Sequence, residues 1–185
     1  MYDTINLVIY MKTLLHTCCA PCSIECIPYF EKDELTLFWF NPNIPPALEY
    51  KNRLNALREY TKQINVSLVE KENYELLSFI KNTIDDVNNR CDYCYKVRLE
   101  ATAKYAHDNG FEAFSTTLLI SPYQNHDKLK DLGNEYATKY NIKFHYFDPR
   151  ENFKRGQIKA KEQGVYIQKY CGCIYSESLR YNKKI

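Results

Sequence analysis

Short runs rich in β-branched and aromatic residues alternate along this chain with segments of helical periodicity. This alternation predicts a parallel sheet covered by helices on both faces, because parallel neighbours are joined by crossovers that usually carry a helix. We therefore predict an α/β fold: a single three-layer domain with a mostly parallel, Rossmann-like (HUP-like) sheet of about five strands. The predicted strands span residues 13–17, 35–40, 66–69, 113–119 and 143–147.

Two segments carry the clearest helical periodicity. Apolar residues recur at helical spacing over 47–64, which predicts a helix there. A second helix is predicted over 94–109, followed by Gly110 at the position of a C-terminal cap. The proline-rich loop 41–46 and the segment 121–124 follow the second and fourth strands. We expect both at the carboxyl edge of the sheet, where open α/β folds bind ligands.

The chain is long enough to fold without cross-links. Its 185 residues can bury a self-sufficient core. No apolar run approaches the roughly 18 residues of a membrane span, and no export signal is recognisable. We therefore expect a cytoplasmic protein with no membrane partner, whose thiols stay reduced. Metal ligation or redox catalysis then explains eight cysteines better than structural disulfides do.

The cysteines form three groups: Cys18, Cys19, Cys22 and Cys26; Cys91 and Cys94; and Cys171 and Cys173. Cys18 and Cys19 follow the first strand, and Pro21 is typical of a first helical turn. Both thiols are therefore expected near helix N-terminal amides, which favour thiolates. The two-residue gap between Cys91 and Cys94 lets two sulfurs meet at one metal. These two pairs predict four ligands of an iron–sulfur cluster, with a structural zinc site and ordinary buried thiols as alternatives.

The remaining cysteines have separate interpretations. Cys22 lies one helical turn from the vicinal pair and is a candidate for a further ligand, whereas Cys26 is assigned to the core. Gly172 separates Cys171 from Cys173, and its conformational freedom makes a tight disulfide feasible. Such a bond would be a labile electron carrier. The alternative is two unpaired thiols beside a surface turn.

Five ordered segments together resemble the cobalamin-independent epoxyqueuosine reductases of the QueH type. They are LHTCCAPC (15–22), FNPNI (40–44), RCDYCYKVRL (90–99), FSTTLLISPYQ (114–124) and YCGCIYS (170–176). The resemblance runs from residue 13 to 180, nearly the whole chain. We accordingly divide the chain into an N-terminal extension, 1–12, and a single iron–sulfur α/β catalytic domain, 13–185. Met11 is a candidate for the equivalent of the usual start.

The resemblance implies reduction of the epoxide of epoxyqueuosine to the alkene of queuosine, in the wobble nucleoside of a tRNA anticodon. It also implies a 4Fe-4S cluster, no cobalamin, a redox-active disulfide between Cys171 and Cys173, and an additional mononuclear iron. Candidate ligands for that iron are Cys22 and Asp92. The implied ligands of the cluster are Cys18, Cys19, Cys91 and Cys94.

The implied reaction consumes two electrons and two protons and releases water. It therefore needs an electron donor, which the sequence does not identify, together with a Lewis acid and a proton donor. His16, Tyr95 and Tyr123 are candidate proton donors because each lies beside a proposed site segment. A structural hydrogen bond is the alternative role for each.

The charge of the chain is concentrated near its end. Residues 150–185 hold nine Lys and Arg against three Glu, although the whole chain carries only +2. A basic segment suggests contact with a polyanion such as tRNA, and a solvated basic face is the alternative. Unpaired RNA bases are read by aromatic stacking. The candidate contacts are Phe153, Tyr166, Tyr170 and Tyr175, interspersed with Lys154, Arg155, Lys159 and Lys169.

Two other functions compete. A tRNA-thiolating, nucleotide-binding α/β enzyme would also use an iron–sulfur cluster, but commonly carries a Ser-Gly-Gly-x-Asp-Ser loop after the first strand. Here residues 18–23 read CCAPCS, with no glycine to let phosphates approach the backbone. A non-catalytic, zinc-stabilised RNA-binding module is the second alternative.

Overall fold

The computed structural model describes residues 10–71 and 74–182. Within them a single sheet of five strands has the order β3-β2-β1-β4-β5, and every neighbouring pair is parallel. The prediction of a three-layer α/β domain is confirmed. The strands are β1 (Lys12–His16), β2 (Glu34–Trp39), β3 (Ser67–Glu70), β4 (Ala113–Thr116) and β5 (Lys143–Phe144).

Seven α-helices flank the sheet within the same described ranges. They are α1 (Ala20–Ile24), α2 (Ala47–Ile64), α3 (Leu76–Lys81), α4 (Arg90–Asp108), α5 (His126–Lys139), α6 (Phe153–Glu162) and α7 (Ile174–Tyr181). In the described part of the chain, no helix has both the length and the apolar character needed to cross a membrane.

The core lies on both sides of β1. Leu14 and Leu15 point to opposite faces and are both fully buried, as is Phe38 on the neighbouring strand. Burial on both faces is the usual state of a parallel sheet, because helices cover each side. Trp39 is also fully buried, and its indole N–H donates to the Tyr50 hydroxyl at 2.8 Å, which ties β2 to α2.

Several predicted boundaries differ from the structure. The helix predicted over 47–64 is α2 itself, whereas the one predicted over 94–109 begins earlier, at Arg90. The fourth strand ends at Thr116, because the Thr116 hydroxyl accepts from the Leu118 N–H at 3.1 Å and caps a 3-10 helix, Thr117–Ile120. The fifth strand pairs over only two residues. The other three strands differ from prediction by one residue at each end.

The strand order creates a ligand-binding crevice. From β1 the chain builds the sheet outward through β2 and β3 on one side, and it then continues with β4 and β5 on the other side. The strand order therefore reverses at β1, and open α/β sheets bind ligands at such a switch point, at the carboxyl ends of the strands. Loop 41–46 reaches this edge, since the Asn41 amide donates to the Thr17 carbonyl at 2.9 Å. Of the proposed extension 1–12, residues 1–9 lie outside the described residues, and Lys12 already belongs to β1.

Candidate active site

Three buried sulfur atoms gather at the end of β1. Cys19 has an extended backbone at the N-cap of α1, and Pro21 lies in the first helical turn. This turn brings the sulfurs of Cys18, Cys19 and Cys22 within 4.8 Å of one another, with 3.7 Å between the first two. In residues 10–71 and 74–182 no other three His, Cys, Asp or Glu side chains meet this closely.

Polar side chains surround this three-sulfur group. The Gln168 amide lies 3.0 Å from the Cys19 sulfur, and the Thr117 hydroxyl lies 3.6 Å from the Cys18 sulfur. Hydrogen bonds from Cys19 and Cys22 hold the pKa of Cys18 well below its usual value, whereas burial raises the pKa of Cys19. The lowered pKa of Cys18 favours its thiolate even without a metal. The three sulfur atoms are also the type of ligand that thiophilic metals prefer.

Cys91 and Cys94 lie on the first turn of α4, outside the three-sulfur group. The Asn43 amide donates to the Cys94 sulfur at 3.5 Å. Burial raises the pKa of Cys94 to about 12 and also raises that of Cys91, and negative charge on Cys171 and Cys173 adds to both shifts. The two pairs, 91/94 and 171/173, therefore lie close enough to interact electrostatically.

Arg98 connects the two sets of cysteines electrostatically. Its side chain is 2% exposed and donates to the Asn43 side-chain oxygen at 2.6 and 3.1 Å. In the described part of the chain it makes no ion pair with a carboxylate. Hydrogen bonding dominates the pKa of Cys18 and burial dominates that of Cys94, and the charge of Arg98 lowers both. Sequence reasoning missed Arg98, although it lies one helical turn after Cys94.

The segment 170–173 is held by a second buried arginine. Arg53 donates to the carbonyl oxygens of Tyr170 and Cys171 at 2.9 and 3.0 Å, and to a Glu49 carboxylate oxygen at 2.6 Å. Gly172 has φ +142° and packs against Arg53. Cys171 is exposed, and both thiols flanking Gly172 are free here, so the disulfide remains a prediction. The role of Arg53 in holding this segment could not be inferred from local sequence, because the two carbonyl groups that it binds lie more than 100 residues away.

Two of the candidate proton donors are buried and hydrogen-bonded. His16 is fully buried, its Nε2–H donates to the Phe40 carbonyl at 3.2 Å, and its Nδ1 lies 2.9 Å from the Thr116 hydroxyl. Burial lowers the His16 pKa to about 4, so the ring is neutral at physiological pH. Burial raises the pKa of Tyr95. These surroundings favour structural roles for both.

Tyr95 orients the side chain of Gln124 toward Cys171. Its hydroxyl donates to the Gln124 side-chain oxygen at 2.7 Å and accepts from the Asn125 N–H at 3.1 Å. The Gln124 amide nitrogen then lies 3.2 Å from the Cys171 sulfur. Tyr123, the third candidate donor, is 84% exposed.

The two candidate ligands of an additional iron have different surroundings. Cys22 is a member of the three-sulfur group. Asp92 forms an ion pair with Lys128 at 3.0 Å and is not part of that group. Cys26, assigned to the core, is fully buried and lies outside the group, as predicted.

Cysteines from two of the three groups line one cavity of about 530 Å³ at the sheet edge. Its wall includes Cys18 and Cys22 from one set of cysteines and Cys171 from the other. This volume is typical of a small-molecule site. Its other lining residues include Thr117, Tyr123, Gln124, Phe153, Gln168, Lys169, Tyr170, Leu179 and Arg180.

The donor set fits a sulfur-ligated iron centre. Thiolates are the usual protein ligands of iron–sulfur clusters, and hydrogen bonds to the sulfurs tune their potential. Here neutral amides from Asn43 and Gln168 point at sulfur atoms, and Arg98 supplies one buried positive charge to offset thiolate charge.

A family model and the curated relatives that match this chain all carry the same family name. A family model described as "Epoxyqueuosine reductase QueH" matches residues 13–179. A protein of that name from Dehalococcoides mccartyi is 35% identical over 174 residues, which covers 93% of this chain and 96% of the relative. A namesake from Thermotoga maritima is 35% identical over 172 residues, 88% of each chain. One from Acinetobacter baylyi is 32% identical over 176 residues, 89% of this chain and 80% of the relative.

Proposed function

This chain belongs to the epoxyqueuosine reductase QueH family, and we propose that it reduces epoxyqueuosine in the wobble position of tRNA to queuosine, the last step of queuosine biosynthesis. The observation that carries the proposal is the cavity at the carboxyl edge of the sheet, into which thiols of Cys18, Cys22 and Cys171 open. A cavity that exposes sulfur donors to a nucleoside-sized space suits an oxidoreductase acting on one nucleoside.

The reaction breaks both C–O bonds of the epoxide, forms a C=C bond and releases the oxygen as water, for two electrons and two protons. We assign Cys18, Cys19, Cys91 and Cys94 to a 4Fe-4S cluster and Cys22, with Asp92 as a further candidate, to an additional iron. When bound, these centres would supply single electrons and a Lewis acid for the epoxide oxygen.

The protein's own residues prepare the surroundings of these sulfurs. Arg98 is buried without a carboxylate partner in the described chain, so its charge favours thiolates in both sets of cysteines. Gln168 and Thr117 provide hydrogen bonds to sulfur. Cys18 and Cys19 are largely buried, and the low local dielectric around buried groups strengthens these interactions.

Cys171 and Cys173 form the proposed redox pair. Oxidation of two thiols to a disulfide releases two electrons and two protons, the amounts that the reaction consumes, and an external reductant must restore the thiols. Gln124 donates to the Cys171 sulfur and favours its thiolate, whereas Arg53 fixes the segment through backbone carbonyls. Tyr123, at the cavity wall, is the proposed proton donor that is open to solvent.

The direct test is an assay on the nucleoside. Anaerobically reconstituted protein is incubated with a reductant and tRNA bearing epoxyqueuosine, and the nucleosides are analysed by mass spectrometry. We expect the loss of one oxygen atom from the modified nucleoside. A zinc-loaded protein that stays inactive after iron–sulfur reconstitution would refute the proposal.

Cysteine variants test the division of roles. Cys91→Ala or Cys94→Ala should lose both iron and activity, whereas Cys171→Ala or Cys173→Ala should keep the ~4 irons of a cluster and lose turnover. Cys26→Ala is the matched control, because Cys26 is buried outside the three-sulfur group. Loss of iron from the Cys171 variant would show that the ligand assignment is wrong.

A further inference from the structure

We propose that the mouth of the cavity is a single-stranded RNA-binding rim, formed by Tyr123, Phe153, Lys169 and Arg180, with Tyr123 as a stacking platform for a base. This inference rests on the proposed function and extends it, because it assigns the residues that hold the anticodon loop. All four residues line the cavity that also contains the cysteines.

Two cations near the rim hold the fold together, whereas the two cations of the rim do not. Arg155 and Lys159 form ion pairs with the buried Glu25 at 2.6 and 2.8 Å and so fasten α6 to α1. Lys169 and Arg180 are exposed and form no ion pair with any described residue. The two cations that line the cavity are therefore free to contact phosphates.

The tyrosines of the basic segment also have structural roles, in contrast to Tyr123. The hydroxyls of Tyr166, Tyr170 and Tyr175 are hydrogen-bonded to Glu49, to the Pro45 carbonyl and to Thr83. These three tyrosines fasten the segment 166–175 to the body of the protein. They are consequently less suited to RNA contact than the sequence suggested.

Tyr123 has the opposite character. Its side chain is 84% exposed, and its ring meets Phe153 edge to face, with 5.9 Å between centroids and an interplanar angle of 85°. Phe153 thus supports the ring while most of its surface stays open. Leu179, 61% exposed, adds apolar surface from α7.

The burial of Cys18 and Cys22 in the cavity wall explains why an aromatic group is needed at its rim. A base inside an RNA loop must leave its stack before it reaches thiols at the cavity wall, and such unstacking costs a few kcal/mol. An aromatic side chain that stacks on a neighbouring base offsets this cost. An acidic protein partner would use the two cations but would not account for an exposed ring beside a nucleoside-sized cavity.

The stacking role is tested by binding. Affinity for fluorescently labelled tRNA bearing epoxyqueuosine is measured by anisotropy with the reconstituted protein. Tyr123→Ala should weaken binding about tenfold, within the range for loss of one stacked base, whereas Tyr123→Phe should stay within about twofold because the ring remains. Turnover of Tyr123→Phe separately tests proton donation by the hydroxyl. An unchanged affinity for Tyr123→Ala would overturn the stacking platform.

The charge role is tested by salt dependence. Each phosphate contact makes the slope of log K against log salt more negative by about 0.7 for single strands. The slope for the double variant Lys169→Gln, Arg180→Gln should therefore be less negative by about 1.4. Lys161→Gln is the matched control, because Lys161 is exposed on α6 but does not line the cavity. A wild-type slope in the double variant would refute the rim.

The outcomes distinguish this inference from the proposed function. If wild-type protein binds and reduces the tRNA while all rim variants behave like wild type, the rim is wrong and the function stands. If wild-type protein neither binds nor reduces the tRNA, the function fails. Variants that keep tRNA affinity but lose reduction by a reduced, acidic ferredoxin would make this surface a docking site for a redox protein and overturn the RNA assignment.

Discussion

Gly172 separates Cys171 from Cys173 in a conformation that suits only glycine. Its φ is +142°, and a methyl group at this position would lie 3.2 Å from both Arg53 Nη1 and Ile44 Cγ1. Gly172→Ala should therefore strain the backbone and push on Arg53, which is fully buried and tied to the carbonyls of this same segment. We expect a cost of about 2–3 kcal/mol in the free energy of unfolding, in the upper part of the range for a strained backbone, because the close contacts add to the strain.

Gly164→Ala provides the matched control. Gly164 has φ +67°, close to the left-handed well, and nothing lies within 4 Å of an added methyl group. Its substitution should cost about 1 kcal/mol. The two variants should therefore differ by about 1–2 kcal/mol, which places the melting temperature of Gly172→Ala roughly 2–8 °C below that of the control.

The assay uses the single tryptophan, Trp39, which is buried in β2. Its fluorescence reports urea unfolding of reduced, metal-free protein. Site-resolved alkylation followed by mass spectrometry should also show faster modification of Cys171 in Gly172→Ala, because a loosened segment presents this exposed thiol to the reagent more often. Equal stabilities of the two variants, with unchanged alkylation of Cys171, would refute the argument.

Three further predictions concern buried charges. Arg53→Met leaves Glu49 buried without its cation and should lower the free energy of unfolding by about 3–5 kcal/mol, with a smaller loss for Arg53→Lys; a urea midpoint equal to that of wild type would contradict this. The hydrogen bond from Arg155 holds the pKa of Glu25 below its ordinary 4.5 in the folded protein. The Glu25 carboxylate therefore stabilises the fold fully above pH 4.5, and this stabilisation is lost as the pH falls through the lowered pKa of the folded state. Glu25→Gln should cost about 1 kcal/mol at pH 7 and show a flatter loss of stability toward pH 3, measured by urea unfolding. Arg98→Met should lower the reduction potential of the bound cluster by on the order of 60 mV, because a cation favours the more negative reduced state; spectroelectrochemistry showing no shift would count against this role.

The sequence by itself determined the five strands, the two long helices α2 and α4, and the arrangement of the strands in a parallel sheet. Alternating strands and helices are local patterns, and the right-handed crossovers of parallel strands leave few ways to join them. Helix α2 was predicted residue for residue for the same reason, since its periodicity lies within one segment. The position of Cys18 and Cys19 at the sheet edge also followed, because they come directly after the first strand.

Only the tertiary structure decided which side chains meet at that edge. Gln168 contacts Cys19 across 149 positions of sequence, and Arg53 contacts the 170–171 segment across more than 115. No local periodicity encodes such contacts, because they arise when helices from distant parts of the chain pack over the same sheet. The burial of Arg98 without a carboxylate partner in the described chain depends on that packing too. Residue spacing within single segments therefore determined the secondary structure, whereas long-range packing determined which side chains surround the cysteines in the cavity.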